Sequence, residues 1–162
     1  MQSASQPHVP PRVGALLDLE NLVHDTLRSG PGRVRQTLTE VVAVVRGLGE
    51  AVTLVGACNP WLAALLVPAA AAAGVRIFWS PLAPNAADHE LLRRAEDIAA
   101  SVDLLVVASG DGIFVDLVAA ERDRGREVVV VAREGCVAGS LARAAHRVVV
   151  LPPDGEIDLR AA

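Results

Sequence analysis

Five consecutive apolar residues, Leu104–Ala108, restrict the possible folds of this sequence more than any other segment. Such a run is typical of a central parallel strand that is buried on both faces. It ends at Ser109-Gly110-Asp111, after which apolar residues recur at helical spacing as far as Val118. We therefore expect a carboxylate at the carboxyl end of a central strand, where ligands bind in open α/β sheets.

The same alternation of strand and helix patterns continues along the chain. Strands are also predicted at residues 13–17, 51–57, 75–79, 127–132 and 147–151. Helices are predicted between them at residues 34–47, 60–73, 87–101, 113–124 and 140–145. We expect residues 25–32 to form a loop and Pro68 to kink or split its helix. Asn59 and Ser140 are expected to cap the helices that they precede.

This alternation predicts an α/β fold, a Rossmann-like three-layer α/β/α architecture with a mostly parallel sheet of five to six strands. In the common strand order 3-2-1-4-5, the first and fourth strands are neighbours at the point where strand order reverses. Asp18 follows the first strand and Asp111 follows the fourth. We therefore expect these two carboxylates side by side at one edge of the sheet.

Composition limits the domain organisation and the compartment. A chain of 162 residues with 52% hydrophobic residues fits one domain, which we place at residues 13–151 between a disordered leader, 1–12, and a flexible tail, 152–162. We see no secretory signal and no apolar segment long enough to span a membrane. Two distant cysteines without a pairing pattern indicate free thiols, so we expect a cytoplasmic protein.

The basic residues exclude several kinds of chemistry. All 15 are arginine, so a P-loop, a Schiff base and any phosphatase or receiver domain with an active-site lysine are excluded. With a net charge of −4, the chain as a whole does not attract nucleic acid, so any surface that binds nucleic acid must be a local patch. No glycine-rich turn follows the first strand, and we therefore expect no nucleotide cofactor.

Three acidic residues converge under this topology: Asp18, Asp111, and Asp88 at the start of the helix after the third strand. Carboxylates in one cleft repel each other unless protons or a cation screen them, and ligation by oxygen alone suits Mg²⁺ or Mn²⁺. Asn21, one turn after Asp18, offers an amide for orienting a substrate. Taken singly, Asp111 and Asp88 have an alternative interpretation as helix caps or first-turn acids.

These segments resemble the NYN domain, a PIN-like nuclease fold. The resemblance rests on Asp18-Leu19-Glu20-Asn21-Leu22, on Asp88 at the start of a helix, and on Ser109-Gly110-Asp111, and it extends over residues 13–151. It implies an acidic pocket that binds Mg²⁺ or Mn²⁺ and hydrolyses RNA as an endoribonuclease. Asp18, Asn21, Asp88 and Asp111 match the family's catalytic positions, with the three aspartates as metal ligands.

The chain departs from the family pattern in two places. The family often has a second acid where Ile113 stands, and a further acid in the helix after Asp88, near Arg94. The pocket therefore has fewer carboxylates than a typical member. The alternative function is a non-catalytic NYN domain that binds RNA or a protein partner. A phosphatase of the haloacid dehalogenase type fits less well, because its conserved lysine is absent.

The expected partner is RNA, with a homodimer or a protein partner as further alternatives. A phosphate backbone requires a positive rim, for which the predicted RNA-binding residues are Arg28, Arg33, Arg35, Arg93, Arg94 and Ser109. Solvated surface arginine is the alternative interpretation of several of them. With two Trp and two Phe, the chain offers little aromatic surface for stacking bases, and we expect no sequence-specific reading.

Overall fold

The protein is described by a computed structural model that covers residues 9–152. A six-stranded, all-parallel sheet has the order β3-β2-β1-β4-β5-β6. This arrangement confirms the predicted α/β class and the adjacency of the first and fourth strands. The strands are β1 Arg12–Asp18, β2 Glu50–Cys58, β3 Val75–Trp79, β4 Leu104–Ala108, β5 Glu127–Arg133 and β6 Arg147–Leu151.

Helices cover both faces of the sheet and produce three layers. They are α1 Leu19–Val23, α2 Pro31–Gly47, α3 Pro60–Ala72, α4 Ala86–Ala100, α5 Val115–Asp123 and α6 Gly139–Ala144, with short 3₁₀ helices at His24–Ser29 and Gly112–Phe114. The first three helices contribute to one buried apolar cluster and the last three to another. All five residues of β4 are buried, because this central strand is covered on both faces.

The structure corrects three local predictions. Residues 25–32 are not a loop, since a 3₁₀ helix occupies His24–Ser29 and α2 begins at Pro31, where the fixed φ of proline suits a first helical position. Pro68 does not split α3, which runs unbroken from Pro60 to Ala72; Ala64, whose carbonyl loses its hydrogen-bond donor, is an exposed residue. Ser140 is not a cap, because α6 begins one residue earlier, at Gly139.

Other predictions agree with the described residues. Asn59 caps α3, with its Oδ1 accepting from the Leu62 backbone N–H at 3.0 Å. Cys58 and Cys136 are free thiols, one buried and one exposed. No helix within residues 9–152 is long and apolar enough to cross a membrane. Most of the predicted leader and tail, residues 1–8 and 153–162, lies outside the described residues.

Candidate active site

Asp18 is the last residue of β1 and is held by two hydrogen bonds. Its Oδ1 accepts from the Asn21 backbone N–H at 3.2 Å, which caps α1. Its Oδ2 accepts from the Ser109 hydroxyl at 2.7 Å. Only 3% of Asp18 is exposed, so the carboxylate is fixed at the edge of the sheet with little water around it.

The Ser109-Gly110-Asp111 turn connects the end of β4 to the end of β1. Ser109 is fully buried, and its hydroxyl accepts from the Asp111 backbone N–H at 3.1 Å while it donates to Asp18. The Gly110 N–H donates to Asn21 Oδ1 at 3.0 Å. A Cβ at Gly110 would overlap the Cys136 carbonyl oxygen, so this close approach of two loops requires glycine. The serine therefore acts as a support for Asp18, with no surface available for RNA.

Asp111 and Asp88 both sit at helix starts, as their alternative interpretations predicted, and both also line the pocket. Asp111 accepts from the Ile113 N–H at 3.0 Å and thereby caps the 3₁₀ helix Gly112–Phe114. Asp88 lies in the first turn of α4 and is only 7% exposed. That helix follows Asn85, which adopts a left-handed backbone conformation with φ of 58°. Asp111 therefore caps a helix and Asp88 is a first-turn acid, and each of them also lines the pocket.

These side chains surround a pocket of about 390 Å³ at the carboxyl edge of β1 and β4. Its lining residues are Asp18, Glu20, Asn21, His24, Asp25, Asn85, Ala86, Ala87, Asp88, Asp111 and Cys136. All four residues predicted to be catalytic from the sequence are brought together here. Five of the lining residues are acidic and none is an arginine, so the pocket attracts cations.

Burial, reinforced by neighbouring negative charge, raises the pKa of two carboxyls of the pocket. Burial, with the charge of Asp88 as the next contribution, raises the pKa of Asp18 from 3.8 to about 7, although the bonds from Ser109 and Asn21 oppose this. Burial also raises the pKa of Asp88, and the charges of Asp111 and Glu20 add to the effect. Asp18 and Asp88 influence each other's pKa, so the two carboxyls titrate as a pair.

The oxygen donors suit a hard divalent cation, with few direct ligands from the protein. Across residues 9–152, no group of three or more His, Cys, Asp or Glu side chains is arranged to hold a metal ion. Mg²⁺ keeps several waters and commonly takes one or two carboxylates from a protein. Asp18 and Asp88 are the two that could ligate directly, and Asp111 could act through water.

Two further carboxylates near the pocket are already engaged. Glu20 Oε1 accepts from the Asn59 backbone N–H at 2.7 Å and from its side-chain nitrogen at 3.0 Å, which ties α1 to the end of β2. Glu90 pairs with Arg93 at 2.6 Å and with Arg94 at 2.7 Å. The sequence did not indicate the Glu20–Asn59 contact, because the two residues are 39 positions apart.

The five predicted RNA-binding arginines lie outside the acidic pocket, and three of them pair with carboxylates. Arg33 contacts Glu40 at 2.7 Å, Arg93 and Arg94 contact the same glutamate of α4, and Arg94 also lies 3.5 Å above the Phe78 ring. The two others are exposed: Arg28 in the 3₁₀ helix, and Arg35, whose Nε donates to the Leu65 carbonyl at 3.3 Å.

The pocket mouth contains a thiol that the sequence gave no reason to place there. The Cys136 sulfur lies 3.8 Å from Asp25 Oδ2, which joins the loop after β5 to the 3₁₀ helix after α1. These residues are 111 positions apart, and no spacing rule connects them. His24 also lines this pocket.

Comparison with known proteins identifies the family. A crystallised protein of unknown function from Vibrio parahaemolyticus RIMD 2210633 matches with a TM-score of 0.72 over 93% of this chain and 98% of that chain, at 19% identity, which shows the fold alone. No curated protein sequence matches significantly. The sequence model of the NYN domain matches residues 12–152, nearly the whole chain. The protein therefore belongs to the NYN domain family, as the sequence motifs predicted.

Proposed function

We propose that this protein is a metal-dependent endoribonuclease that hydrolyses RNA phosphodiester bonds at the acidic pocket. The observation that carries the proposal is the convergence of Asp18, Asp88 and Asp111 on one pocket, where burial raises the pKa of two of them. Membership in a nuclease-like family supports the same reading. Strongly perturbed carboxyls gathered in a cleft are characteristic of functional sites.

The residues of the pocket fit Mg²⁺ or Mn²⁺, with Asp18 and Asp88 as direct ligands and Asp111 bound through water. A divalent cation held by these residues would lower the pKa of a bound water and would neutralise charge that develops on the phosphoryl group. Without such a cation, two nearly buried carboxylates repel each other. The cation and the carboxylates therefore stabilise one another.

The polar neighbours of Asp18 hold the site in position. The Ser109 hydroxyl and the Asn21 backbone N–H fix both carboxylate oxygens, which orients them before an ion arrives. The side-chain oxygen of Asn21 is occupied by the Gly110 N–H. Its Nδ2 is the donor that we assign to a non-bridging oxygen of the scissile phosphate, where a neutral donor stabilises negative charge.

A non-catalytic NYN domain is the second candidate, and the scarcity of ligands favours it. Ile113, where the family often has an acid, packs against the apolar core on the α4 side of the sheet. Within the described part of the chain no three ligands are arranged around one ion. In this alternative the pocket binds metal weakly and the domain binds RNA or a protein without cutting.

Cleavage of mixed, end-labelled RNAs tests the proposal. The wild type is compared in Mn²⁺, Mg²⁺ and EDTA with Asp18→Asn and Asp111→Asn, and with Asp97→Asn as a control at an exposed carboxylate of α4. We expect metal-dependent cutting that falls at least about a hundredfold in both pocket variants and persists in the control. Cutting that survives in both pocket variants contradicts the assignment, and no cutting by the wild type favours the non-catalytic domain.

A further inference from the structure

A second pocket shares the 3₁₀ helix His24–Ser29 with the acidic pocket. Its volume is about 310 Å³, and it is lined by Leu27, Gly30, Pro31, Val34, Trp61, Ala64 and Leu65. Asp25 lines the acidic pocket and Leu27 lines the second one. Residues less than one turn apart on this 3₁₀ helix therefore line the two pockets.

Trp61 gives this apolar pocket an exposed aromatic wall. Large indole side chains are highly buried on average, yet 65% of Trp61 is exposed. It lies at the start of α3, two residues after Asn59, whose backbone and side chain bind Glu20 of the acidic pocket. The hydrogen bonds between Asn59 and Glu20 therefore connect the start of α3, where Trp61 lies, to the acidic pocket.

Positive charge borders the same pocket. Arg35 donates to the carbonyl of Leu65, a lining residue, and Arg28 directly follows Leu27, another lining residue. Both arginines are exposed, and neither has a carboxylate partner within residues 9–152, in contrast to Arg33. An aromatic wall beside two guanidinium groups whose charge no carboxylate of the described residues neutralises is complementary to a nucleobase and its phosphate. A peptide that binds through a purely apolar face would make no favourable contact with these two guanidinium groups.

We propose that this second pocket is a nucleotide-binding subsite for single-stranded RNA. One base stacks on Trp61, and its phosphate contacts Arg28 and Arg35. In the part that concerns cleavage, this inference rests on the proposed function, because a strand bound here would serve cleavage only by continuing to the acidic pocket, which the same 3₁₀ helix lines. Stacking accepts every base, so the subsite holds RNA without reading its sequence. It also supplies the positive charge that the acidic pocket lacks.

Tryptophan fluorescence tests the subsite without any catalysis. The chain contains two tryptophans and no tyrosine, and Trp79, which is 69% exposed, does not line this pocket. Trp79→Phe therefore leaves Trp61 as the reporter, and Trp61→Phe leaves the control tryptophan. An oligouridylate RNA is titrated into each variant in EDTA, after circular dichroism has shown that both are folded. We expect saturable quenching when Trp61 is the reporter and little when it is not.

Two charge variants check the phosphate contacts by fluorescence anisotropy of the labelled RNA. The double variant Arg28→Ala, Arg35→Ala is expected to weaken binding at least about tenfold, and Arg147→Ala, at an exposed arginine of the edge strand β6, to leave it unchanged. Absent quenching, or equal quenching of both tryptophans, overturns the proposal. A change of Trp61 emission with protein concentration alone also overturns it, because a second copy then occupies the pocket.

The experiment separates this inference from the proposed function. Quenching in EDTA by an RNA that is never cut in Mn²⁺ supports the subsite and contradicts the proposed nuclease activity. Metal-dependent cutting without quenching of Trp61 supports the proposed nuclease activity and contradicts the subsite.

Discussion

Replacing Asp18 by asparagine should stabilise the metal-free protein at neutral pH. Burial raises the pKa of this carboxyl from 3.8 to about 7, so the folded state binds its proton more tightly than the unfolded state does. At about 1.4 kcal/mol per pKa unit, ionising it in the folded protein costs on the order of 4 kcal/mol. Asparagine removes that cost and keeps an oxygen for the Asn21 N–H, while the Ser109 hydroxyl can accept from the new amide.

The sign of the pH dependence follows from the raised pKa. The stabilising effect of the bound proton is complete below the unfolded-state pKa of 3.8, falls as the pH rises, and is lost as the pH passes the folded-state value of about 7. Between pH 5 and pH 8, the wild type should lose about 2 to 3 kcal/mol relative to Asp18→Asn from this group. Interaction with Asp88 spreads the same loss over both carboxyls.

Urea unfolding in EDTA at pH 5 and pH 8 measures this difference directly. Asp97→Asn, at an exposed carboxylate, serves as the control and should change the free energy of unfolding by less than about 0.5 kcal/mol at either pH. If Asp18→Asn is no more stable than the wild type at pH 8, or if the difference in free energy of unfolding does not shrink at pH 5, burial does not raise the pKa of Asp18 as described.

Three further predictions concern Gly110, the two cysteines and Glu121. Gly110→Ala should lower the free energy of unfolding in urea by about 2 kcal/mol or more, because the added Cβ meets the Cys136 carbonyl. Gly32 lies in α2 with open space around it, so Gly32→Ala should be neutral or stabilising. Thiol titration of the native protein should label Cys136 rapidly and not Cys58, which is buried with its pKa raised to about 12; rapid labelling of two thiols contradicts this. Glu121→Gln should cost about 2 kcal/mol, because this carboxylate is 1% exposed and pairs with two arginines; an unchanged midpoint of unfolding refutes that estimate.

The sequence predicted the sheet because its signal is local and repeated. Each strand is an apolar run of a few residues between helical patterns, and the parallel order follows from short right-handed connections. Asp18 and Asp111 could be placed together by topology alone, since each ends a strand that neighbours the other. Asp88 required the additional assumption that α4 begins at this same edge, which the structure bears out.

What could not be predicted depends on contacts between distant segments. Ser109 was expected to bind RNA, but its direction is set by the neighbouring strand, and it points into the site as a support for Asp18. The pairing of Arg33 with Glu40, seven residues later, crosses two turns of helix, where no short-range rule applies. The pocket beside Trp61 could not be predicted either, because its walls come from the 3₁₀ helix, α2 and α3, which are separate segments of the chain.

The most direct test of the account is calorimetric titration of Mn²⁺ into the RNA-free protein at pH 7, in buffers of different ionisation enthalpy. If Asp18 is a ligand with its pKa at about 7, binding must release its proton, and we expect on the order of half a proton per ion. Asp18→Asn should bind more weakly without that release, and Asp97→Asn should behave as the wild type. No binding of Mn²⁺, or binding with the same affinity and proton release in Asp18→Asn, would contradict the claim that this pocket is a metal-dependent site.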